Sequence, residues 1–204
     1  MRLSLKTVHR LSAYLLITFI AFHFFNHLLA LLGPDAHTAT MRLFRNVYRI
    51  PFVEIGLMLS VLTQTISGIV LIIKQPHFWK SKVSALQVAS GLYLAFFLIN
   101  HVRAVLMARY SWHIETDFYF AANVAVDPNT KSFFLPYYSF AVLSVFLHLA
   151  CAHYRRRLML SGDLFTENRQ FQVRVKREAM LIGVSGIVVA ALIMASFGGF
   201  LYKF

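Results

Sequence analysis

Phe22 to Gly33, FHFFNHLLALLG, is the stretch whose reading decides the fold: an Asn26-His27 pair sits deep inside an apolar run that ends at Gly33-Pro34-Asp35. The pair returns at Asn100-His101, inside FFLINHVRAV. Histidine is costly in hydrocarbon unless it has a partner, so two of them at matching positions in two apolar segments point to a shared ligand. Pro cannot continue a helix and Gly suits its C-terminal turn, so the first segment stops at Gly33-Pro34.

Working outward, the chain of 204 residues is 58% hydrophobic and 14% charged, with twenty Phe. Apolar runs of about 20 residues are long enough to cross a bilayer as helices. Five are read here: Leu11 to Leu32, Ile50 to Ile73, Val83 to Ala108, Phe133 to His153 and Ala179 to Leu201. The expected fold is an all-α integral membrane bundle forming one domain over residues 1–204, with no soluble catalytic module. The first run is too long for a signal-peptide core and carries polar residues in its second half, so it is expected to stay as a helix.

The net charge of +12 would suggest nucleic acid in a soluble protein. Here the basic residues flank the spans, where they set orientation, and no nucleic-acid partner is expected. Thirteen lie before the first span and after the second and fourth, and the other seven lie opposite. The N-terminus is therefore expected in the cytoplasm and the C-terminus outside. Cys151 is alone in a span, which excludes a disulfide framework and a CxxCH haem attachment.

The basic segment before Leu11 reads as an amphipathic lead-in at the membrane surface. Arg42, Arg45 and Arg49, spaced by three and four, read as one solvated face of a short interfacial helix. Pro51 suits a first helical turn. Glu54, just after it, either stays wet or does proton work. Gln64 and Gly68 share a face of the second span, where a glycine lets a helix or a flat ligand approach closely. Trp79, in the Pro76-to-Trp79 turn, is an expected interface anchor. Arg103 either snorkels to the surface or pairs with an anionic group such as a haem propionate. The aromatic cluster Phe118, Tyr119, Phe120 is expected to fold over one end of the bundle. Arg155 to Arg157 read as the close of the fourth helix, and the basic segment to Glu178 as a docking loop for a partner or for anionic lipid.

His27 lies 17 residues past Arg10 and His101 lies 18 past Val83. At about 1.5 Å per residue the two imidazoles stand within a turn of each other on helices running the same way. Two neutral imidazoles across a flat macrocycle in an apolar slot is what a b-type haem needs, so His27 and His101 are the expected iron ligands. His23, one turn before His27, is an alternative ligand or a hydrogen-bond partner.

On these residues the chain resembles the single-chain, five-helix cytochrome b membrane anchor of bacterial succinate dehydrogenases and fumarate reductases. Arg10-Leu11-Ser12 opens the first helix, Pro51-Phe52-Val53-Glu54 the second and Leu86-Gln87 the third, which carries Gly91 and His101; His148 lies towards the end of the fourth. The resemblance implies haem b, exchange of electrons with quinone, and docking of a flavoprotein and an iron-sulfur protein on the cytoplasmic side of a bacterial inner membrane. It makes Arg103 a propionate partner and Glu54 a proton acceptor at a quinone site. Two-haem members pair helices one and three for one haem, and two and four for the other. Here the ligand position four before Gly68 is Gln64, so His148 is left without a mate and one haem is expected. Three outcomes stay open for that region: a quinone, a second haem held weakly by His148, or departure from the dehydrogenase role. A cytochrome of another respiratory assembly and a haem-free structural anchor are the competing expectations.

Overall fold

The computed structural model describes residues 4–74, 81–162 and 168–202. The Pro76-to-Trp79 turn with Lys80, and the terminal Arg2 and Lys203, lie outside them. Among the described residues seven α-helices follow one another: α1 (Leu5–Leu28), continued by a 3-10 turn (Leu29–Leu32), α2 (Pro34–Tyr48), α3 (Pro51–Lys74), α4 (Lys82–Tyr110), α5 (Phe118–Val126), α6 (Lys131–Ser161) and α7 (Arg169–Phe197). Five, namely α1 with its 3-10 turn, α3, α4, α6 and α7, are long and apolar enough to cross a membrane, so this is a multi-pass membrane protein.

Local chemistry sets the boundaries. The Ser4, Asp117 and Asn168 side chains each accept a hydrogen bond from the backbone N–H three residues on, capping α1, α5 and α7. Gly33 takes φ of 116°, a conformation that frees the chain to turn out of the 3-10 segment into α2, whose first residue is Pro34. Three expectations need correction. Helix α1 starts at Leu5, so most of the basic lead-in is helix rather than a separate surface segment. Helix α6 runs through Arg155 to Arg157 and on to Ser161, because arginine is a good helix former and does not stop one. The docking loop is shorter than expected, since Arg169 to Glu178 is the first third of α7.

The five long helices form a ring in the order α1, α3, α4, α6, α7 and back to α1. Contacts fix their directions. His9 near the start of α1 meets Ser67 near the end of α3, Gln87 near the start of α4 meets His148 of α6, and His153 meets Glu178 of α7. Neighbours are therefore antiparallel except α7 and α1, which run together; His27 packs on Phe197. Call the end holding Leu5 and Ser161 the N-terminal end, and the other, holding Phe197, the C-terminal end.

The main apolar core lies at the C-terminal end, where Ala30, Phe118, Ala122, Val142, Ala190, Ile193 and Phe197 meet. A second cluster, Leu16, Leu57 and Val61, joins α1 to α3. Helices α6 and α7 approach closely: a Cβ on Gly186 would lie 2.5 Å from Phe146 Cβ. Helix α5, inside the long connection after α4, plugs the C-terminal end, and its Phe118 is fully buried. Helices α1 and α4 are not neighbours in the ring and meet through side chains, with Leu98 packed on the Leu16 cluster and His101 facing His23.

Candidate functional site

Four imidazoles gather at the C-terminal end. The His23 and His27 Nε2 atoms lie 3.1 Å apart, as one turn of α1 allows. His27 Nδ1 lies 3.3 Å from Nε2 of His37, which α2 folds back into the cluster. Across the ring, His101 of α4 faces His23 with ring centres 6.1 Å apart. Phe97 stacks on His101, Phe19 on His23, and Phe197 edges both His27 and His37, so the walls are aromatic.

The structure thus brings His23, His27 and His101 together, with a change of emphasis. Both His27 nitrogens face other imidazoles, whereas His23 is the ring set opposite His101. The two Asn-His pairs also differ. Asn26 is buried with its Oδ1 unpartnered, whereas Asn100 is turned outward and donates to Phe96 O.

His37 is the member that sequence reasoning missed. Only 2% of it is exposed, and among the described residues its Nδ1 has no hydrogen-bond partner. Burial first, and then the Arg45 guanidinium, push its pKa down from 6.5 to about 4 against the opposing pull of Asp117, so it is neutral at neutral pH. Arg45 is itself buried, and donates to Thr116 O and Oγ1 beside Glu115. The expected solvated arginine face is therefore split: Arg42 is exposed and Arg45 is a buried strut between α2 and the α4–α5 connection.

Glu54 and Arg103 occupy other places. The Glu54 carboxylate is ion-paired with Arg109 Nη1 at 2.5 Å, tying α3 to the end of α4. Arg103 is exposed, with its guanidinium against Met107 Sδ on its own helix.

His148 lies far from this cluster, at the N-terminal end. Its Nδ1 is 3.0 Å from Gln87 O and 3.4 Å from Ser90 Oγ. Gln64, which stands at the ligand position of the resembled family, donates instead to His9 O and to Ser12 Oγ and clamps α3 to α1.

Among the described residues no three His, Cys, Asp or Glu side chains are grouped to hold a bare metal ion. The donor set suits a metal that needs two protein ligands. Two ring nitrogens each about 2 Å from a shared metal put the ring centres roughly 6 Å apart, the separation of His23 and His101. Aromatic rings on both helices fit a large, mainly apolar group. Compared with known protein families, curated proteins and solved structures, the chain matches none.

Proposed function

We propose that this protein is a haem b-binding membrane anchor that passes electrons between a flavoprotein/iron-sulfur dehydrogenase of the succinate/fumarate type and membrane quinone. The observation that carries the reading is the pair of imidazoles from α1 and α4, His23 and His101, facing each other with ring centres 6.1 Å apart between aromatic walls. His101, together with His23 or His27, would hold the haem iron. A bound haem supplies a one-electron carrier, whose potential the axial imidazoles and apolar walls tune. His37 holds the His27 ring by a hydrogen bond, as outer partners of ligating histidines do. Quinone takes two electrons and two protons, and Glu54 is the candidate acceptor at the C-terminal end once released from Arg109.

The remaining assignments rest on charge. The N-terminal end carries most of the lysines and arginines, which supports placing it in the cytoplasm of a bacterial inner membrane, with the partner subunits and anionic lipid docked there. Chemistry on the dicarboxylate belongs to the partner.

The test is haem content and spectrum of the intact protein purified with its native partners, for the wild type and for His101→Ala, His23→Ala and His27→Ala. A low-spin b-type spectrum lost in His101→Ala is expected, and whichever α1 variant also loses it names the second ligand. A colourless wild type would move the protein to the haem-free anchors. Haem without any flavin-containing partner would move it to another respiratory assembly.

A further inference from the structure

The N-terminal third of α7, Arg169 to Glu178, carries charge that the fold leaves unspent. Glu178 is the acidic side chain of this end among the described residues, and three basic side chains already surround it: His153 Nε2 at 2.9 Å, Arg174 Nε at 3.2 Å and Arg157 Nε at 3.4 Å. Its carboxylate therefore serves the α6–α7 contact. Arg169, Lys176 and Arg177 have no ion-pair partner among the described residues. Arg174 is 73% exposed and spends only its Nε on Glu178.

The unspent arginines share a face with apolar residues. Arg169, Arg174 and Arg177 line a surface groove together with Val173 and Leu181. Val173, Arg177, Leu181, Val184, Val188 and Leu192 follow one another at spacings of three and four, which makes them one straight stripe with Arg169 a turn above. The apolar members are 38% to 64% exposed. Val175, Gly186, Ala190 and Ile193, on the opposite face, are buried. The stripe therefore looks away from the bundle.

Length sets the level of the charges. Helix α7 has 29 residues. At 1.5 Å each it is about 43 Å long, against roughly 30 Å of hydrocarbon in a bilayer. Everything after Glu178 on this helix is uncharged, so the excess length stands at the N-terminal end. Long side chains on a helix lean towards its N-terminus, which carries the Arg177 guanidinium outward towards Arg174, its neighbour three residues away. Paired guanidiniums above a continuous exposed apolar stripe match the build of a phospholipid: a phosphate for the arginines, and acyl chains for Leu181 to Leu192. A soluble acidic partner would meet the charges and leave the stripe below them out of reach.

We propose that this face of α7 is a binding site for one anionic phospholipid, with its phosphodiester between Arg174 and Arg177 and Arg169 adding positive charge above it. The assignment rests on the reading of the N-terminal end as the one that docks anionic lipid, and it is independent of haem.

The intact protein, purified in a neutral detergent, is titrated with dioleoylphosphatidylglycerol or dioleoylphosphatidylcholine, and bound lipid is counted by native mass spectrometry. Wild type is expected to hold one phosphatidylglycerol that phosphatidylcholine of equal chains does not displace. Arg177→Gln is expected to weaken it about fivefold, the worth of one basic side chain at an anionic surface, and the double variant with Arg169→Gln to weaken it further. Arg177→Lys, which keeps the charge and loses the planar fork, is expected to fall between wild type and Arg177→Gln, and it carries the test if the glutamine variant fails to fold. An equal loss in Lys6→Gln, at the same end but on α1, would show diffuse attraction and overturn the site. Displacement of the lipid by millimolar inorganic phosphate would make it a site for free anions instead. Unchanged lipid binding in Arg177→Gln, with loss of a soluble protein that accompanies the wild type, would turn the face into a protein-docking surface. Haem content is read on the same samples. A colourless protein that prefers phosphatidylglycerol would keep this inference and sink the haem reading, and haem without the preference would do the reverse.

Discussion

Helices α4 and α7 are both 29 residues long, yet they are built for different neighbours. Helix α7 buries Val175, Gly186, Ala190, Ile193, Ser196 and Phe197, a stripe at helical spacing pressed against α6 and the C-terminal core. Helix α4 buries only Ser90 and Ala108, although it stands between α3 and α6. What α4 offers the interior is chemistry: His101 at one end, and Ser90, Gly91 and the Gln87 carbonyl at the other. A helix whose inner face carries polar side chains among its packing residues can line a site, and one whose inner face is small and apolar closes the ring.

The strongest way to break that contrast is to add bulk. Gly186→Leu drives atoms into Phe146 where neither helix can give, and should cost about 3 kcal/mol or more, read as a lower unfolding temperature in detergent. Gly91→Leu meets only the edge of the His148 ring. It should cost less than half as much, and an equal stability loss would show that α4 packs as α7 does. Next come truncations. Ile193→Ala, in the core, should cost about 2–4 kcal/mol, whereas Ile99→Ala on the outward face of α4 should stay within about 1 kcal/mol. Arg109→Ala, which strands the Glu54 carboxylate, should cost about 1–3 kcal/mol, and the double variant with Glu54→Gln should recover part of that. The smallest effect is expected at Arg103. Arg103→Ala should change stability by less than about 0.5 kcal/mol and leave haem content unaltered, whereas a fall in haem content would return Arg103 to the role of propionate partner.

The five spans were legible because hydropathy and length suffice to mark them, and the meeting of His23, His27 and His101 followed from helical rise and direction. Helix ends were less legible. Arg155 to Arg157 look like a boundary because charges avoid lipid, but helix geometry continues past the membrane surface. His37 was hidden for another reason: it follows a Gly-Pro stop in what reads as a connection, and only tertiary folding of α2 returns it to the cluster. The contact of His9 with Ser67 was masked by Arg10, which marks the segment as surface. The signal that would have found it is a pair of matched polar stripes, His9 with Ser12 on α1 and Gln64 with Ser67 on α3, in helices otherwise apolar.

The hydroxyl of Tyr202 donates to Leu31 O at 2.7 Å, fastening the segment that follows the last helix onto the turn that follows the first. During synthesis α1, α3, α4 and α6 all enter the bilayer before α7 exists, and chains fold from the N-terminus onward. The histidines that gather at the two ends lie on α1, α2, α4 and α6, so they can come together while one side of the ring still stands open. Insertion of α7 then closes the ring, with Tyr202 as its latch.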